Sequence, residues 1–139
     1  IHRLDAELTA GSRTAMDPAL CADGVDEVLR VMYGGAPPWG TFAPADGRTL
    51  RLAATDTGAS WPVKLGRFRG IDPAGDEAVD EADIRVLDHD SGQAAAQISG
   101  TAADLDCWLW HRPALGEIER TGDAEVLAAF ESVISSPIN

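Results

Sequence analysis

The segment from Trp108 to Arg112 contains the residue types that bind a small anion. Trp108, Trp110 and Arg112 stand at alternate positions. On a helix the two indoles would point in different directions, so one belongs to the core and the other can line a cleft. The Arg112 guanidinium can hold a carboxylate near that cleft through two parallel hydrogen bonds. Alternatively, Arg112 binds the last carbonyl groups of its own helix.

The segment Asp56–Ser60 (DTGAS) matches the turn that holds the catalytic carboxylate in aspartic proteases. That chemistry needs two aspartates that share one proton, and a later apolar-apolar-Gly segment that braces each loop. The nearest candidate braces are interrupted by Lys64 and by Ser99. The sequence therefore favours an ordinary hairpin turn, in which Asp and Gly are expected for their backbone torsions.

The sequence contains no complete motif for a metal site or a disulfide framework. The turn Asp88–Gly92 alternates oxygen ligands but lacks the downstream Glu of an EF-hand. The three histidines are not at the spacing of metal ligands: His2, His89 and His111. Cys21 and Cys107 are too few for a disulfide framework, so we interpret them as reduced, semi-buried side chains.

Length and charge restrict the functions further. The chain has 139 residues, which is enough for one domain but not for two. Its formal net charge of −12 would repel nucleic acid and anionic membrane surfaces. No apolar run approaches the roughly 18 residues of a membrane-spanning helix, and the opening residues are not those of a secretory leader. We therefore expect a globular cytoplasmic protein without nucleic-acid or membrane partners.

The first predicted helix is already in register at Ile1. No capping residue precedes it and Gly11 supplies a stop, so we expect a chain cut from a longer protein, or alternatively a trimmed terminus. A second helix is predicted from Asp17 as N-cap to about Tyr33. The Gly- and Pro-rich stretch 34–47 is predicted to be a loop, either pinned by its aromatic residues or mobile.

Alternating apolar residues predict strands in the middle of the chain. The runs 48–53 and 61–65 are separated by a turn and predict an antiparallel hairpin. The acidic segment 72–83 is predicted to be a solvated turn or a short flexible loop. Residues 84–87 and 94–99 flank a further turn and predict a second hairpin.

Two capped helices are predicted in the last third of the chain. Thr101 caps a helix that must end by about Arg112, because Pro113 follows. After a short strand at 117–121, Asp123 caps a last helix. Together the elements predict an α+β fold, with an antiparallel or mixed sheet of about five strands covered by helices.

Several of these segments, in the same order, resemble the C-terminal part of the mycothiol-dependent maleylpyruvate isomerase-like proteins of actinobacteria. The matching segments are 2–7 (HRLDAE), 49–56 (TLRLAATD), 99–105 (SGTAADL), 108–112 (WLWHR) and 121–123 (TGD). The resemblance implies that residues 12–139 form a sterol-carrier-protein-like domain. It also implies that residues 1–11 are the remnant of the last helix of an N-terminal DinB-like domain.

In that family the DinB-like helical bundle binds a divalent metal, usually zinc, and the resemblance implies that His2 is one ligand. The other ligands would precede Ile1, so we expect the isolated chain to lack metal, mycothiol and activity, because one imidazole cannot hold zinc. In the parent, a mycothiol thiolate would add to an unsaturated diacid. The family segment W-L-x-G-R places its substrate-binding arginine at Arg112, with His111 here in place of the glycine.

Three functions are compatible with these observations. The leading hypothesis is the C-terminal accessory domain of a metal- and mycothiol-dependent isomerase or thiol S-transferase-like protein. Its partners would be the missing N-terminal domain and a small anionic substrate at Arg112. The alternative is a sterol-carrier-like module that binds a lipid or other apolar ligand. A third is a structural domain that only packs against its bundle or forms a homodimer.

Overall fold

The computed structural model describes residues 1–138, which form a five-stranded sheet with helices packed on it. The helices are α1 (His2–Thr9), α2 (Pro18–Glu27), which continues as a π-helical segment (Val28–Tyr33), α3 (Ala102–Leu109) and α4 (Ala124–Ile134). The strands are β1 (Gly40–Ala54), β2 (Ser60–Asp72), β3 (Glu77–Val86), β4 (Ala96–Gly100) and β5 (Glu119–Gly122). Within residues 1–138, no helix is both long and apolar enough to cross a membrane.

The sheet is mixed, with the spatial strand order β3-β2-β1-β4-β5. β1 pairs with β2 in the antiparallel sense and with β4 in the parallel sense. The β2–β3 and β4–β5 pairs are antiparallel. The predicted α+β class, with a mixed sheet of about five strands covered by helices, is therefore confirmed.

Three helices begin at the predicted capping residues. The side chains of Asp17, Thr101 and Asp123 accept hydrogen bonds from backbone N–H groups in the first turns of α2, α3 and α4. Such a cap satisfies a donor that has no partner inside the helix and is worth about 1 kcal/mol. These starts depend on neighbouring residues alone, so the sequence predicts them correctly.

The prediction of a loop over residues 34–47 is wrong from residue 40 onward. β1 starts at Gly40 and pairs with β2 as far as Pro44, where the register shifts before pairing resumes at Thr49. A Cβ at Gly40 would lie 2.1 Å from the Phe68 ring, so glycine is needed there for close packing. Pro44 has no backbone N–H to donate to a neighbouring strand, and the regular hydrogen-bond pattern is interrupted after it.

The acidic segment 72–83 is not a loop either. β2 continues to Asp72 and β3 begins at Glu77, so only a short turn separates them. Arg67 donates a hydrogen bond to Asp80 on the neighbouring strand at 2.6 Å, and Arg69 donates to the same carboxylate at 3.3 Å. These cross-strand ion pairs offset part of the acidic charge and favour pairing of the two strands.

The second predicted hairpin is also wrong, because its two strands are not neighbours. β3 pairs with β2, whereas β4 lies beside β1, with Leu52 opposite Ile98. Residues 87–95 therefore connect the two strands across β2 and β1. Arg51 of β1 holds this connection through two hydrogen bonds of 2.7 Å to the carboxylate of Asp90.

The apolar core lies between the sheet and the helices. Its buried strand residues include Leu50, Leu52, Val63, Leu65, Ile84 and Ile98. Val25 of α2, Leu105 and Leu109 of α3, and Phe130 of α4 belong to the same cluster and are fully buried. Because α3 is anchored by Leu105 and Leu109, its C-terminal end has a fixed position.

Candidate functional site

Arg112 stands just beyond the C-terminal end of α3 and forms a bidentate ion pair with Asp5 of α1. Its Nε lies 2.5 Å from Asp5 Oδ1 and its Nη2 lies 3.0 Å from Asp5 Oδ2. Its Nη1 donates to the carbonyl oxygen of Trp110 at 2.5 Å. The alternative drawn from the sequence, a bond to the carbonyl groups of its own helix, is thus observed. The guanidinium holds a carboxylate, here one of the same chain, and it also binds a terminal carbonyl of its own helix.

Each member of this pair stabilises the charged form of the other. The hydrogen bond from Arg112 is the largest effect on the pKa of Asp5 and lowers it, with further lowering by the charges of Arg112 and His2. The same hydrogen bond raises the pKa of Arg112. Both side chains are 35% exposed, so solvent screens the pair and it contributes no more than about 1 kcal/mol. Two of the five N–H donors of a guanidinium remain available to a further acceptor.

α1 is fastened to the rest of the domain by the residues that follow it. Glu7 accepts hydrogen bonds from the Thr14 backbone N–H at 3.0 Å and from the Thr14 hydroxyl at 2.7 Å. Arg13 donates to the carbonyl oxygen of Pro113 at 2.7 Å. Leu4 is buried on the inner side of the helix. α1 therefore has a defined orientation relative to the end of α3.

His2 is the first residue of α1 and its side chain is exposed. Among residues 1–138, no group of three or more His, Cys, Asp or Glu side chains is placed to hold a metal ion. A zinc site needs about three protein ligands, so these residues do not form one around His2. His2 as a metal ligand stays a prediction that requires ligands from outside this sequence.

His111 adopts a left-handed backbone conformation, with a φ of 58°, in the turn that ends α3. The Arg112 N–H bonds to the Cys107 carbonyl oxygen, and the His111 N–H bonds to that of Trp108. This is a Schellman arrangement, whose left-handed position is usually glycine. An ordinary residue there costs about 1–2 kcal/mol. The turn places Arg112 directly after α3 even though its left-handed residue is a histidine.

Three helical ends converge on the side chains of Tyr33 and His111. His111 Nε2 lies 2.6 Å from the Ile134 carbonyl oxygen and 3.2 Å from the Tyr33 hydroxyl. The Tyr33 hydroxyl lies 2.8 Å from the Leu109 carbonyl oxygen and 3.0 Å from that of Ile134. Burial raises the pKa of Tyr33 to about 12, so this hydroxyl keeps its proton and donates. The π-helical segment, α3 and α4 are thus joined at their C-terminal ends.

A cavity of about 330 Å³ opens beside Arg112. Its walls include Trp108, His111, Arg112, Arg120, Glu131 and Ile134. The Arg120 guanidinium lies 5.4 Å from the centre of the Trp108 ring and pairs with Glu131. Trp108 is therefore the tryptophan that lines the predicted cleft. A cavity lined by an indole and two guanidinium groups can bind a small carboxylate that has an apolar part.

Asp106 of α3 is a buried carboxyl group that the sequence analysis does not single out. It is 3% exposed, and its Oδ1 has no hydrogen-bond partner within residues 1–138. Desolvation raises its pKa to about 6. Gly24 of α2 faces it, and a Cβ at that position would lie 2.6 Å from Oδ1. Asp106 lies four residues after Ala102 and three residues before Leu109, so the three side chains share one face of the helix. This spacing is the sequence signal of its burial.

The two acidic turn motifs serve the fold. Asp56 Oδ1 accepts a hydrogen bond from the backbone N–H of Ala102 at 2.9 Å, where α3 begins. A protease dyad needs a carboxylate that faces a second carboxylate, whereas this one caps a helix. In the turn 88–92, Asp90 pairs with Arg51 instead of forming part of a calcium loop.

Two adjoining cavities lie between α4 and the strands β1 to β3. The smaller, of about 300 Å³, has mainly small and apolar walls, which include Ala45, Leu65, Gly66, Ala82, Ala129 and Val133. The charged residues Arg48, Arg67 and Asp83 also line it. The larger, of about 530 Å³, extends along α4 to Met32 and Tyr33. The small residues on the two facing surfaces leave space that a close-packed interior would fill.

Comparison with known proteins places most of the chain in one family. The family model described as "MDMPI C-terminal domain" matches residues 19–129, a range that includes Arg112 but not Asp5 or His2. No curated protein matches the chain. One solved structure, described as "UbiJ-SCP2 Ubiquinone synthesis protein", is similar with a TM-score of 0.46 and 19% sequence identity. The similarity covers 84% of this chain and 95% of that chain.

Proposed function

This chain belongs to the family of MDMPI C-terminal domains, and from that premise we propose that it is the accessory domain of a metal- and mycothiol-dependent isomerase or thiol S-transferase-like protein. The observation that supports the proposal is the bidentate Asp5–Arg112 pair. It joins the helix that bears His2, the proposed metal ligand, to the arginine proposed to bind the substrate. In this proposal the chain acts in the cytoplasm together with an N-terminal metal-binding domain.

The role proposed for Arg112 is to hold the carboxylate of a small anionic substrate. Three of its N–H groups bind Asp5 and Trp110, and the other two are free for a ligand. Because the fork to Asp5 fixes the plane of the guanidinium, the free donors have a defined direction. The Trp108 ring supplies an apolar wall to the adjoining cavity. Such positioning lowers the entropic cost of bringing reactants together.

Zinc and mycothiol are proposed as cofactors of the whole enzyme only. The residues that the structure describes do not form a metal site around His2, so the isolated chain is proposed to be inactive. Its own residues contribute two things: a fixed orientation of α1, through Glu7 and Arg13, and a binding site for a carboxylate at Arg112.

The test uses the product of the complete open reading frame that contains this sequence. We expect the purified protein to bind zinc and to isomerise maleylpyruvate when mycothiol is supplied. Arg112→Gln should lower kcat/KM by about tenfold or more, because it removes the charged hydrogen bonds to the carboxylate. Arg67→Gln, an exposed change on β2, is the matched control. A wild-type product without zinc and thiol-dependent activity, or a fully active Arg112→Gln variant, would contradict the proposal.

A second candidate function is the binding of a lipid or other apolar ligand between α4 and the sheet. The smaller cavity favours it, because concave sites with largely apolar walls are typical of small-molecule binding. The isolated chain should then take up a fluorescent fatty acid, and Ala129→Phe should prevent uptake by filling the smaller cavity. Ala78→Phe, on the exposed edge strand, is the matched control. Unchanged uptake by Ala129→Phe, or no uptake by the wild type, would count against this function.

A further inference from the structure

We propose that the free edge of β3 is a docking site for an extended, positively charged segment of a partner protein, which adds to the sheet as a further strand. The segment pairs its backbone with residues 78–82, and its lysine or arginine side chains lie beside the carboxylates of Glu77 and Glu81. None of the groups around Arg112 takes part, so this inference is independent of the proposed function.

The first observation is that β3 is a long edge strand with a regular backbone. In the sheet that residues 1–138 form, it lies at one end and pairs with β2 alone. Its ten residues, Glu77–Val86, contain no proline and pair with β2 without a register shift. At the opposite end of the sheet, β5 has only four residues. Native proteins commonly protect an edge by shortness, a bulge or a proline, and β3 uses none of these.

The second observation is the direction of the backbone groups along this edge. The Leu87 N–H donates to the Pro62 carbonyl oxygen, one position beyond the last paired residues of β3 and β2. Hydrogen-bonded pairs alternate in an antiparallel ladder, so every second residue of β3, counted back from Leu87, bonds to β2. The backbone groups of the intervening residues point away from the sheet. These residues include Ala78, Asp80 and Ala82.

Most of these outward groups have no hydrogen-bond partner within residues 1–138. The exception is the Asp80 carbonyl oxygen, which accepts a hydrogen bond from Arg67 Nη2 at 3.0 Å. Towards the end of β3 the edge is covered, because a Cβ at Gly34 would lie only 3.3 Å from the Ile84 carbonyl oxygen. The open part of the edge therefore spans residues 77–83. An extended segment of the same length can pair with it through main-chain hydrogen bonds.

The third observation is that a groove adjoins this edge, namely the larger cavity of about 530 Å³. Alternate residues of a strand share a face, so Ala82 faces the helices as the buried Ile84 does. Ala82 lines the groove from β3, and Ser132 and Ser136 line it from α4 and the residue stretch that follows. An added strand would direct alternate side chains into this groove, where these small residues leave space for them.

The fourth observation is the charge on the other face of β3. Glu77 and Glu81 are exposed and point away from the helices. Neither forms an ion pair within residues 1–138, whereas Asp80 pairs with Arg67 and Arg69. Side chains opposite each other on neighbouring strands interact, so cations at alternate positions of the added strand would pair with the two glutamates. These carboxylates favour a basic segment and disfavour a second copy of this chain, whose net charge is −12.

The experiment measures the binding of a fluorescein-labelled heptapeptide of alternating Lys and Val to the chain, by fluorescence anisotropy in low salt. One control peptide has N-methylated Val residues, which keep the charge but cannot donate to β3. In the other, Glu replaces Lys. We expect the Lys–Val peptide to bind and both controls to bind at least about tenfold more weakly. Amide hydrogen exchange at Ala78 and Ala82 should become slower in the complex.

Variants of the chain test the backbone contact and the charge contact separately. Ala82→Pro removes an outward N–H without breaking the ladder to β2, and it should weaken binding by about tenfold or more. The double variant Glu77→Lys, Glu81→Lys should have a similar effect, because it reverses the charge beside the added strand. Its matched control is Asp23→Lys, Glu117→Lys. This control changes the net charge equally at exposed sites outside β3, and it should lose less than about threefold.

Each other outcome overturns the proposal. If the N-methylated peptide binds as tightly as its parent, charge alone attracts the peptide and there is no pairing with the edge. No binding of the Lys–Val peptide, or binding that Ala82→Pro leaves unchanged, has the same consequence. If the wild type sediments as a dimer and Ala82→Pro as a monomer, the occupant is a second copy instead. Circular dichroism establishes folding first. Should Ala82→Pro fail to fold, Ser132→Trp, which fills the groove, decides the question, with Ala128→Trp one turn earlier on α4 as its control.

Discussion

Asp5 and Arg112 lie 107 positions apart in the sequence, yet their side chains meet in a two-point ion pair between the first helix and the end of the third. Each residue belongs to a segment that carries the resemblance to the maleylpyruvate isomerase-like proteins. The pair therefore joins two segments that are far apart in the sequence. It fixes α1 against the turn in which Arg112 and His111 lie.

Replacing Arg112 with Gln should loosen α1. The variant loses a pair that is 35% exposed on both sides, so the free energy of unfolding should fall by no more than about 1 kcal/mol. Amide hydrogen exchange should nevertheless become faster across residues 2–9, because α1 loses its ion pair with the end of α3. Asp5→Asn should give the same pattern, and the double variant should add little. Unchanged exchange in α1 would show that Arg13 and Glu7 suffice to hold it.

Replacing Asp106 with Asn should stabilise the domain at alkaline pH. The pKa of Asp106 is raised to about 6 from an ordinary 3.8, so the folded state binds this proton more tightly than the unfolded state. Its contribution to stability is complete below pH 4 and is lost as the pH rises through 6. The variant should gain about 2 kcal/mol at pH 8, measured by urea unfolding, and almost nothing at pH 4.

A pH profile in which the wild type and Asp106→Asn run parallel would contradict this assignment. Asp104→Asn serves as the contrasting control. The pKa of Asp104 is lowered, because hydrogen bonds from Gly116, Thr101 and Leu115 outweigh the desolvation that raises it. Replacing Asp104 should therefore destabilise the domain at neutral pH, and the difference should shrink as the pH falls towards its lowered pKa.

Replacing Gly24 with Ala should destabilise the contact between α2 and α3. Alanine favours helices over glycine by about 1 kcal/mol, which would predict a gain. The new Cβ, however, would lie 2.6 Å from Asp106 Oδ1, so the carboxyl group must move within a buried site. We expect a net loss of about 1–3 kcal/mol in thermal or urea unfolding. Gly24→Ala combined with Asp106→Ala should recover most of it, whereas additive losses in the double variant would refute a direct clash.

Replacing Tyr33 with Phe should lower stability by about 1–2 kcal/mol. The hydroxyl is near the carbonyl oxygens of Leu109 and Ile134, and its removal leaves the Leu109 oxygen without this donor. The aromatic ring keeps its packing, so the effect measures the hydrogen bonds alone. Chemical denaturation with an unchanged m-value is the measurement. A loss below about 0.3 kcal/mol would mean that water replaces the hydroxyl at no cost.

The parts of the fold that depend on nearby residues are those that the sequence predicts well. Asp17, Thr101 and Asp123 mark helix starts because their side chains bond to N–H groups two or three residues ahead. The long-range pairing of β4 with β1 has no such local signal. Residues 72–83 are misread as a loop for the same reason, since the arginines that offset their acidic charge lie on another strand.

The candidate site also combines features that nearby residues determine with features that depend on long-range packing. Arg112 is singled out from its own segment, and in the structure its guanidinium binds the carboxylate of Asp5. That Asp5 would be the partner cannot be read from spacing, because the two meet only through the packing of α1. The left-handed conformation of His111 was open to inference from the glycine expected there. Its contact with Ile134 depends on where α4 ends, which one local segment does not reveal.

The edge strand β3 has a consequence for how copies of this protein behave at high concentration. Its outer backbone groups are unpaired in the sheet, and such an edge can recruit a strand from another molecule into a growing fibre. The exposed carboxylates of Glu77 and Glu81 would then lie close to the same carboxylates of the second molecule, and the two sets would repel each other. Concentrated solutions of the protein should therefore not form fibres at neutral pH. Strong acid protonates the carboxylates of β3 and removes their repulsion, so fibres should form there.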